Sequence, residues 1–234
     1  REIEAIKPDI LILGAPTNNS LIIEERGVLW IEIITTGKSA HAGEPHLGEN
    51  AIVRMIKICN HLEKEMKKKL NNRKIRGMRS TINIGKIEGG VNTNVVPNLC
   101  RLEIDRRLLP KEDNDDAFNE IKTIFESCDE SRKNSSIKKI RGTNGFSGDK
   151  NYLIVQKISQ SHKEILGNQI EFINSIGVSD GRYFSGDEIE IVCFGPGKDS
   201  EGHSANESIE IKSMVESALI LEKSISKILG YKKN

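Results

Sequence analysis

Apolar positions in this chain fall into several distinct periodicities. Between Pro8 and Gly14 the run Ile10-Leu11-Ile12-Leu13 is apolar at every position, which marks a strand covered on both faces. Gly27 to Gly37 is rich in β-branched residues and reads as a second strand. From Glu49 to Leu70, the residues Ile52, Met55, Ile56, Cys59, Leu62, Met66 and Leu70 recur in steps of three and four. That spacing predicts an amphipathic helix, and its basic last turn suits the helix dipole. Ile82 and Ile84 alternate with Thr81 and Asn83; Cys100, Leu102 and Ile104 alternate with Arg101, Glu103 and Asp105. The second of these predicts a strand with one wet face. Ala117, Phe118, Ile121, Ile124, Phe125 and Cys128 predict another helix, and Ile137 with Ile140 a short strand.

Gly27 to about Arg141 therefore reads β-α-β-β-α-β, the ferredoxin-like split βαβ pattern. After the linker-like GTNGFSGD come a helix (Tyr152 to Leu166), a strand (Gln169 to Asn174) and a short helix (Asp180 to Phe184). A strand (Ile189 to Phe194) and a long helix (Ser208 to Leu229) follow. Such alternation predicts an α/β layer. The fold class is α/β: an α/β domain made of residues 1–26 and 142–234, interrupted by a ferredoxin-like α+β domain at 27–141. A buried-type strand stands before any element able to cover it, and the first residue is Arg1. The chain reads as a piece of a longer protein that lacks an N-terminal part.

Composition narrows the functions. The 234 residues carry 35 Lys and Arg against 34 Asp and Glu, a formal charge of +1. The charges are interspersed, so neither nucleic acid nor a membrane surface is an expected partner. No apolar run approaches a membrane span, and no signal peptide is visible, so the expected compartment is cytoplasmic. Cys59, Cys100, Cys128 and Cys193 form no CxxC pair and read as small buried hydrophobes in a reducing compartment.

Four stretches hold candidate chemistry: GKSAHAGEPHLGENAI, GKIEGGVNTNVVPNLCRLEIDRRLLP, GVSDGRYF and FGPGKDSEGHSANESI. His41 and His46 lie five apart across a proline, which fits neither helical nor strand spacing for a shared metal. His46 reads as a capping or packing residue before the helix. Ser179 or Asp180 in SDGR reads as a helix cap. His203 follows a strand and a GPG turn, at the carboxyl end where α/β sheets hold ligands. His61 and His162 read as partly exposed structural residues.

In this order the four stretches resemble the zinc aminoacylase, acetylornithine deacetylase and succinyl-diaminopimelate desuccinylase family of metallohydrolases. The resemblance runs from KPDILILGAPT to the last helix. It implies a catalytic α/β domain interrupted by a lid, or dimerisation, domain, a homodimer formed through that lid, and a site of one or two zinc ions, with cobalt or manganese as alternatives. It further implies that His203 binds metal. His41 would reach the partner subunit's active site and bond the carbonyl oxygen as charge develops. Asn94 and Arg107 would hold polar groups of the substrate, with Gly177, Val178 and Ser179 lining its pocket. Arg182 reads as a structural ion-pair former, and Asn206-Glu207 as the cap of the last helix. The implied activity is hydrolysis of an N-acyl amino acid or small peptide bearing a free carboxylate.

Two departures stand out. The family's GEPT, whose glutamate binds metal, is here GAPT with Ala15. The family's His-x-Asp, bridging aspartate and Glu-Glu pair have no counterpart. Three readings follow: an active enzyme in which Glu24, Glu25 or water replaces the ligand, a degenerate relative, or an inactive homodimerising scaffold.

Overall fold

The computed structural model describes residues 8–175, 177–184, 188–202 and 205–231, and the chain divides into two units, 1–26 with 145–234, and 27–144. In the first unit, strand β1 (Ile10–Leu13) is followed by the short β2 (Glu24–Glu25). The second unit opens with β3 (Gly27–Thr36), a ten-residue strand whose alternate positions are buried.

Helix α1 (Ala51–Leu70) starts at Asn50, whose side chain accepts the Val53 N–H at 3.0 Å. This satisfies a donor the helix cannot satisfy itself. The helix buries Ala51, Met55, Ile58, Leu62, Met66 and Leu70. The phase differs from the sequence expectation: Ile58 is central, whereas Ile56 is 49% exposed. Apolar residues occur on both sides of the true stripe, so periodicity alone did not fix its centre.

A tight hairpin, β4 (Lys74–Ile75) and β5 (Met78–Arg79), precedes β6 (Thr81–Gly89), β7 (Leu99–Leu108), α2 (Asn114–Ser127) and β8 (Ser135–Thr143). The four long strands make one antiparallel sheet in the order β6-β7-β3-β8. Leu29, Ile31 and Ile33 of β3, with Leu102 and Ile104 of β7, form a core with α1 and Ile121, Ile124 and Phe125 of α2. The opposite sheet face is polar and ion-paired: Arg101 and Lys138 both reach Glu32, and the Trp30 indole donates to Asp105 at 2.9 Å. The fourth strand runs nine residues, longer than Ile137 and Ile140 suggested, because its outer positions are polar.

The chain then re-enters the first unit through β9 (Phe146–Ser147), antiparallel to β2, and continues into α3 (Leu153–Leu166), β10 (Glu190–Cys193) and α4 (Ile211–Leu229). β10 lies parallel to β1, with Leu13 opposite Cys193. Glu190 accepts the first N–H groups of α3, from Leu153 and Ile154, at 3.0 and 2.9 Å. This remote carboxylate does the work of a cap. α4 turns Ser213, Ser217, Ile220 and Ser224 inward. Its Lys223 and Lys227 hydrogen-bond Glu164 of α3 and hold that carboxyl down to about 2.

Three expectations fail here. Gln169 to Asn174 forms no strand, only a bridge from Phe172 to Leu21. His162 is buried, its Nδ1 3.2 Å from the Asn168 carbonyl. Asn206 and Glu207 do not cap α4, which begins after Glu210.

Arg106 of β7 lies on the helix-covered face and is 0% exposed. It donates to Ser80 Oγ at 2.6 Å and to Glu112 at 3.2 and 3.4 Å. Glu112 also accepts from Leu109 N–H and Arg73. Burial acts to raise the Glu112 carboxyl, but the Ser80 and Leu109 bonds and the Arg106 charge hold it below its ordinary value. Removing one partner of a buried ion pair strands the other charge. Glu112→Ala should lower unfolding free energy by about 3–5 kcal/mol, and Glu112→Gln by less, since an acceptor for Leu109 remains. Urea unfolding followed by fluorescence of Trp30, the single tryptophan, measures both; equal stability of Glu112→Ala and wild type would show the network to be energetically idle.

Candidate functional site

In the first unit the carboxyl ends of β1 and β10 face the same way, and two turns leave them side by side. The GAPT turn is joined to the GPG turn by backbone bonds, Asn18 N–H to Gly197 O at 2.6 Å and Asn19 N–H to Gly195 O at 2.9 Å. Thr17 Oγ accepts the Gly195 N–H at 3.1 Å. A Cβ on Gly195 would stand 2.5 Å from the Ala15 carbonyl, so this close approach needs glycine. Beside the turns lies a cleft of about 580 Å³, whose walls include Ala15, Glu25, Ser179, Cys193, Asp199 and Glu207.

Gly177, Val178 and Ser179 line this cleft. Ser179 caps the following 3-10 turn, Asp180–Tyr183, with its Oγ accepting the Gly181 N–H at 3.2 Å. Gly181 packs so closely that a Cβ would lie 2.7 Å from Leu13 Cδ1. Arg182 keeps to a structural role: it donates to the Val178 carbonyl at 3.4 Å and lies over the Tyr183 ring.

Glu25 is 1% exposed, and its Oε1 accepts a short bond from the Ser179 N–H. Its Oε2 lies 3.9 Å from Cys193 Sγ. Burial raises the Glu25 carboxyl above its ordinary value, against the lowering pull of the Ser179 bonds and Arg182. Cys193 is pushed up to about 12 by burial and by the Glu25 charge, so it is an inert thiol. Glu24 points to the other side and accepts from Ser147 Oγ at 3.1 Å.

In the second unit, His41 is exposed at the tip of its turn. Its Nδ1 accepts the Gly43 N–H at 3.0 Å, which leaves the proton of the neutral ring on Nε2, directed away from the turn. Ala42 N–H donates to the Asn94 carbonyl at 3.0 Å, and Val96 N–H to the Ala40 carbonyl at 2.9 Å. The structure therefore brings His41 and Asn94 together. Gly37 permits the turn through close approach, since a Cβ there would meet the Glu49 carbonyl at 2.0 Å. His46 is exposed and caps nothing; Asn50 does that. Arg107 sits near the other end of β7, roughly 26 Å from Leu99 at the usual strand rise. Its guanidinium closes on Asp105 with bonds of 2.7 and 3.0 Å.

His203 lies outside the described residues. Among the described residues no three His, Cys, Asp or Glu side chains cluster to hold a metal ion, and Ala15 brings no donor. The donors among the described residues do not fit a two-metal centre. Sequence reasoning also gave no place to Cys193 in the cleft or to the Arg106 network. A charged pair such as Glu24-Glu25 directly after the apolar Leu21-Ile22-Ile23 was the available signal for Glu25.

A raised carboxyl means the folded chain binds its proton more tightly than the unfolded chain. Stability is then lost as pH rises from the ordinary value of 4.5 through the raised one. Glu25→Gln should match wild type below that window and become relatively more stable above it. Urea midpoints across pH measure the difference, which isolates Glu25 from carboxyls shifted downward elsewhere; a pH-independent difference would show that Glu25 is not raised.

Residues 23–132 match the family model of the peptidase dimerisation domain. A probable carboxypeptidase from Aspergillus flavus is 38% identical over 103 residues, 42% of this chain and 24% of that protein. A probable succinyl-diaminopimelate desuccinylase from Staphylococcus aureus is 25% identical over 86% of this chain and 56% of its own length. The acetylornithine deacetylase of Myxococcus xanthus is 25% identical over 94% and 57%. A solved tripeptidase from Staphylococcus aureus, 26% identical, superposes with a TM-score of 0.72 over 97% of this chain and 58% of that one. An aminopeptidase from Bacillus cereus at 21% identity shares the fold, with a TM-score of 0.73 over 94% and 57%. The chain spans about half the length of the curated relatives it matches along most of its own. No helix among the described residues is long and apolar enough to cross a membrane. Residues 23–132 carry a peptidase dimerisation domain.

Proposed function

We propose that this chain serves a cytoplasmic, metal-dependent amide hydrolase, a deacylase or peptidase, acting on an N-acyl amino acid or small peptide with a free carboxylate. The observation that carries the reading is the pairing of a peptidase dimerisation domain with an α/β unit whose cleft is lined by Gly177, Val178 and Ser179. Similarity to desuccinylases, a deacetylase and peptidases along most of the chain supports an enzyme over a scaffold. Zinc is the metal that the resemblance to the metallohydrolase family implies, with His203 as one ligand. The described donors do not assemble its site, so no step is derived through it. His41 is a donor to the developing oxyanion in the partner's active site, its free Nε2–H being the group such a role requires. Asn94 and Arg107 orient the substrate's polar groups.

The homodimer forms through the edge strand β6 and the flank of α1 beside it. His61 meets Ser127 of α2 and Lys57 meets Glu130 in the 3-10 turn just after it, so Ile52 and Ile56 lie on the other flank. Ile52 abuts Gly89 of β6. On that strand Ile84 and Ile87 are exposed on the helix-covered face, beyond the reach of α1. An apolar edge of this kind is covered by a second copy related by a twofold axis. Ile56→Glu with Ile87→Lys should convert dimer to monomer in sedimentation velocity without unfolding the chain; a wild type that sediments as monomer at tens of micromolar removes the proposal.

Activity is tested on the protein expressed from its full reading frame, supplied with zinc, cobalt or manganese, by following amine release from N-acetyl and N-succinyl amino acids and tripeptides. His41→Ala should lower turnover on the order of a hundred- to a thousandfold and leave metal content unchanged. Mixing it with a His203→Ala chain should restore part of the activity, because one site of a mixed dimer keeps both histidines. Mixed dimers that regain nothing would show that His41 does not act in trans.

A further inference from the structure

We propose that the end of helix α1 and the hairpin β4–β5 form a docking surface for the phosphodiester backbone of a nucleic-acid duplex, bound without regard to base sequence. The inference stands apart from the amide-hydrolase reading and uses none of the residues given to that site.

The first ground is charge. Over the whole chain 35 Lys and Arg balance 34 Asp and Glu, and that balance led away from a nucleic-acid partner. It does not hold locally: the stretch MKKKLNNRKIRGMRSTINIGKI, Met66 to Ile87, carries eight Lys and Arg and no acid. The basic last turn of α1 answers its helix dipole, but no dipole accounts for the hairpin that follows. The acids that reach this stretch are already paired. Glu65 holds Lys68, Glu120 holds Lys69 and Arg73, and Glu88 holds Lys86. Lys64, Lys67, Lys74 and Arg79 are exposed and make no ion pair among the described residues. Exposed Glu63, next to Lys64 in sequence, offsets one charge at the margin.

The second ground is the geometry of the hairpin. It is fixed to its unit: Met78 is buried, Ser80 N–H donates to the Arg73 carbonyl at 3.1 Å, and Arg73 N–H to the Leu70 carbonyl at 2.9 Å. Lys74 stands directly opposite Arg79, and Ile75 opposite Met78. With Met78 turned inward, the pleat sends Lys74 and Arg79 outward together. Like charges directly opposite one another are unfavourable. At the tip, Arg76 and Gly77 both have positive φ, 46° and 84°. Asn-Gly is the pair such a turn favours, and here Arg takes the strained place. A hairpin selected for stability alone would hold neither feature, and an anionic partner relieves the Lys–Arg repulsion.

The third ground is what the surface lacks. No aromatic residue occurs between Trp30 and Phe118, so single-stranded bases have nothing here to stack on. Among the described residues no large apolar side chain is exposed between Ile56 and Ile84, so a lipid surface finds no anchor. Protein–protein interfaces are depleted in lysine and enriched in aromatics, the reverse of this composition. A duplex backbone asks only for cations and polar donors, and exposed Asn71 and Asn72 stand between the helix cations and the hairpin cations.

Fluorescence anisotropy of a fluorescein-labelled DNA duplex of arbitrary sequence, titrated with the whole chain at several salt concentrations, tests this. The dissociation constant at physiological salt should lie between roughly 1 and 100 μM. Log affinity should fall against log salt with a slope of about −3.6, the value for four phosphate contacts. Lys74→Glu with Arg79→Glu should weaken binding about tenfold and flatten the slope by about 2. Lys74→Glu alone sets opposite charges across the hairpin, so it should weaken binding while raising the urea midpoint. Lys64→Gln with Lys67→Gln, both on the exposed side of α1, should also flatten the slope by about 2, and keeps the test open if a hairpin variant fails to fold. No binding to the duplex, a slope near zero, or folded variants that bind like wild type would each overturn the proposal. Tighter binding to poly-glutamate, or to vesicles of phosphatidylserine and phosphatidylcholine, than to the duplex would also overturn it, by assigning the surface to an acidic protein or a membrane.

Discussion

The chain leaves one α/β core at residue 26 and returns to it at residue 145, and the antiparallel pair β2–β9 is what makes the excursion possible. Glu24 faces Ser147 and Glu25 faces Phe146, so entry and exit run side by side. An insertion with adjacent ends can fold on its own core without opening the host. The same two residues carry a cost, because both acids are buried. Side chains alternate along a strand, so the two carboxyls point to opposite faces, and each finds a separate donor. Glu24 takes the Ser147 hydroxyl; Glu25 takes the Ser179 N–H. A slip of one residue would exchange the faces and strand both charges, so the pairing register and the cleft chemistry are set together.

The order of elements was legible because each long element carries its own period. β3, β7, α1, α2 and α3 alternate or repeat cleanly, and their ends lie within a few residues of where glycine, proline and capping signals place them. What was not legible depends on partners distant in sequence. The phase of α1 depends on which of two apolar flanks meets the sheet. The apolar Ile170 to Ile173 segment has strand composition but only one bridge partner. β8 reads as mostly polar because only one of its faces is covered, by α2.

The candidate site divides along the same line. The turn bearing His41 was readable from its glycines, although the glycines serve close approach rather than an unusual backbone angle: neither Gly37 nor Gly43 has a positive φ. The union of His41 with Asn94 was not readable, since it rests on backbone bonds across more than fifty residues. Glu25 entered the sequence argument only as a substitute for a lost ligand. Its burial against Ser179 and Cys193 is a tertiary fact that no local pattern carries.

Arg106 and Arg107 show how far residue type alone can mislead. They are adjacent and chemically identical, and the pleat sends one to each face of β7. Arg106 becomes a structural cation held by Ser80 and Glu112; Arg107 reaches the polar face and closes on Asp105. For Arg107 to grip a substrate carboxylate it must release Asp105, exchanging one bidentate carboxylate for another. Charge-assisted bonds of this kind contribute about 1.5–3 kcal/mol each, so the loss and the gain nearly cancel. The residue then adds little to affinity. In the proposed substrate-holding role its contribution would be discrimination, because a ligand lacking a planar acceptor of that shape would not displace Asp105.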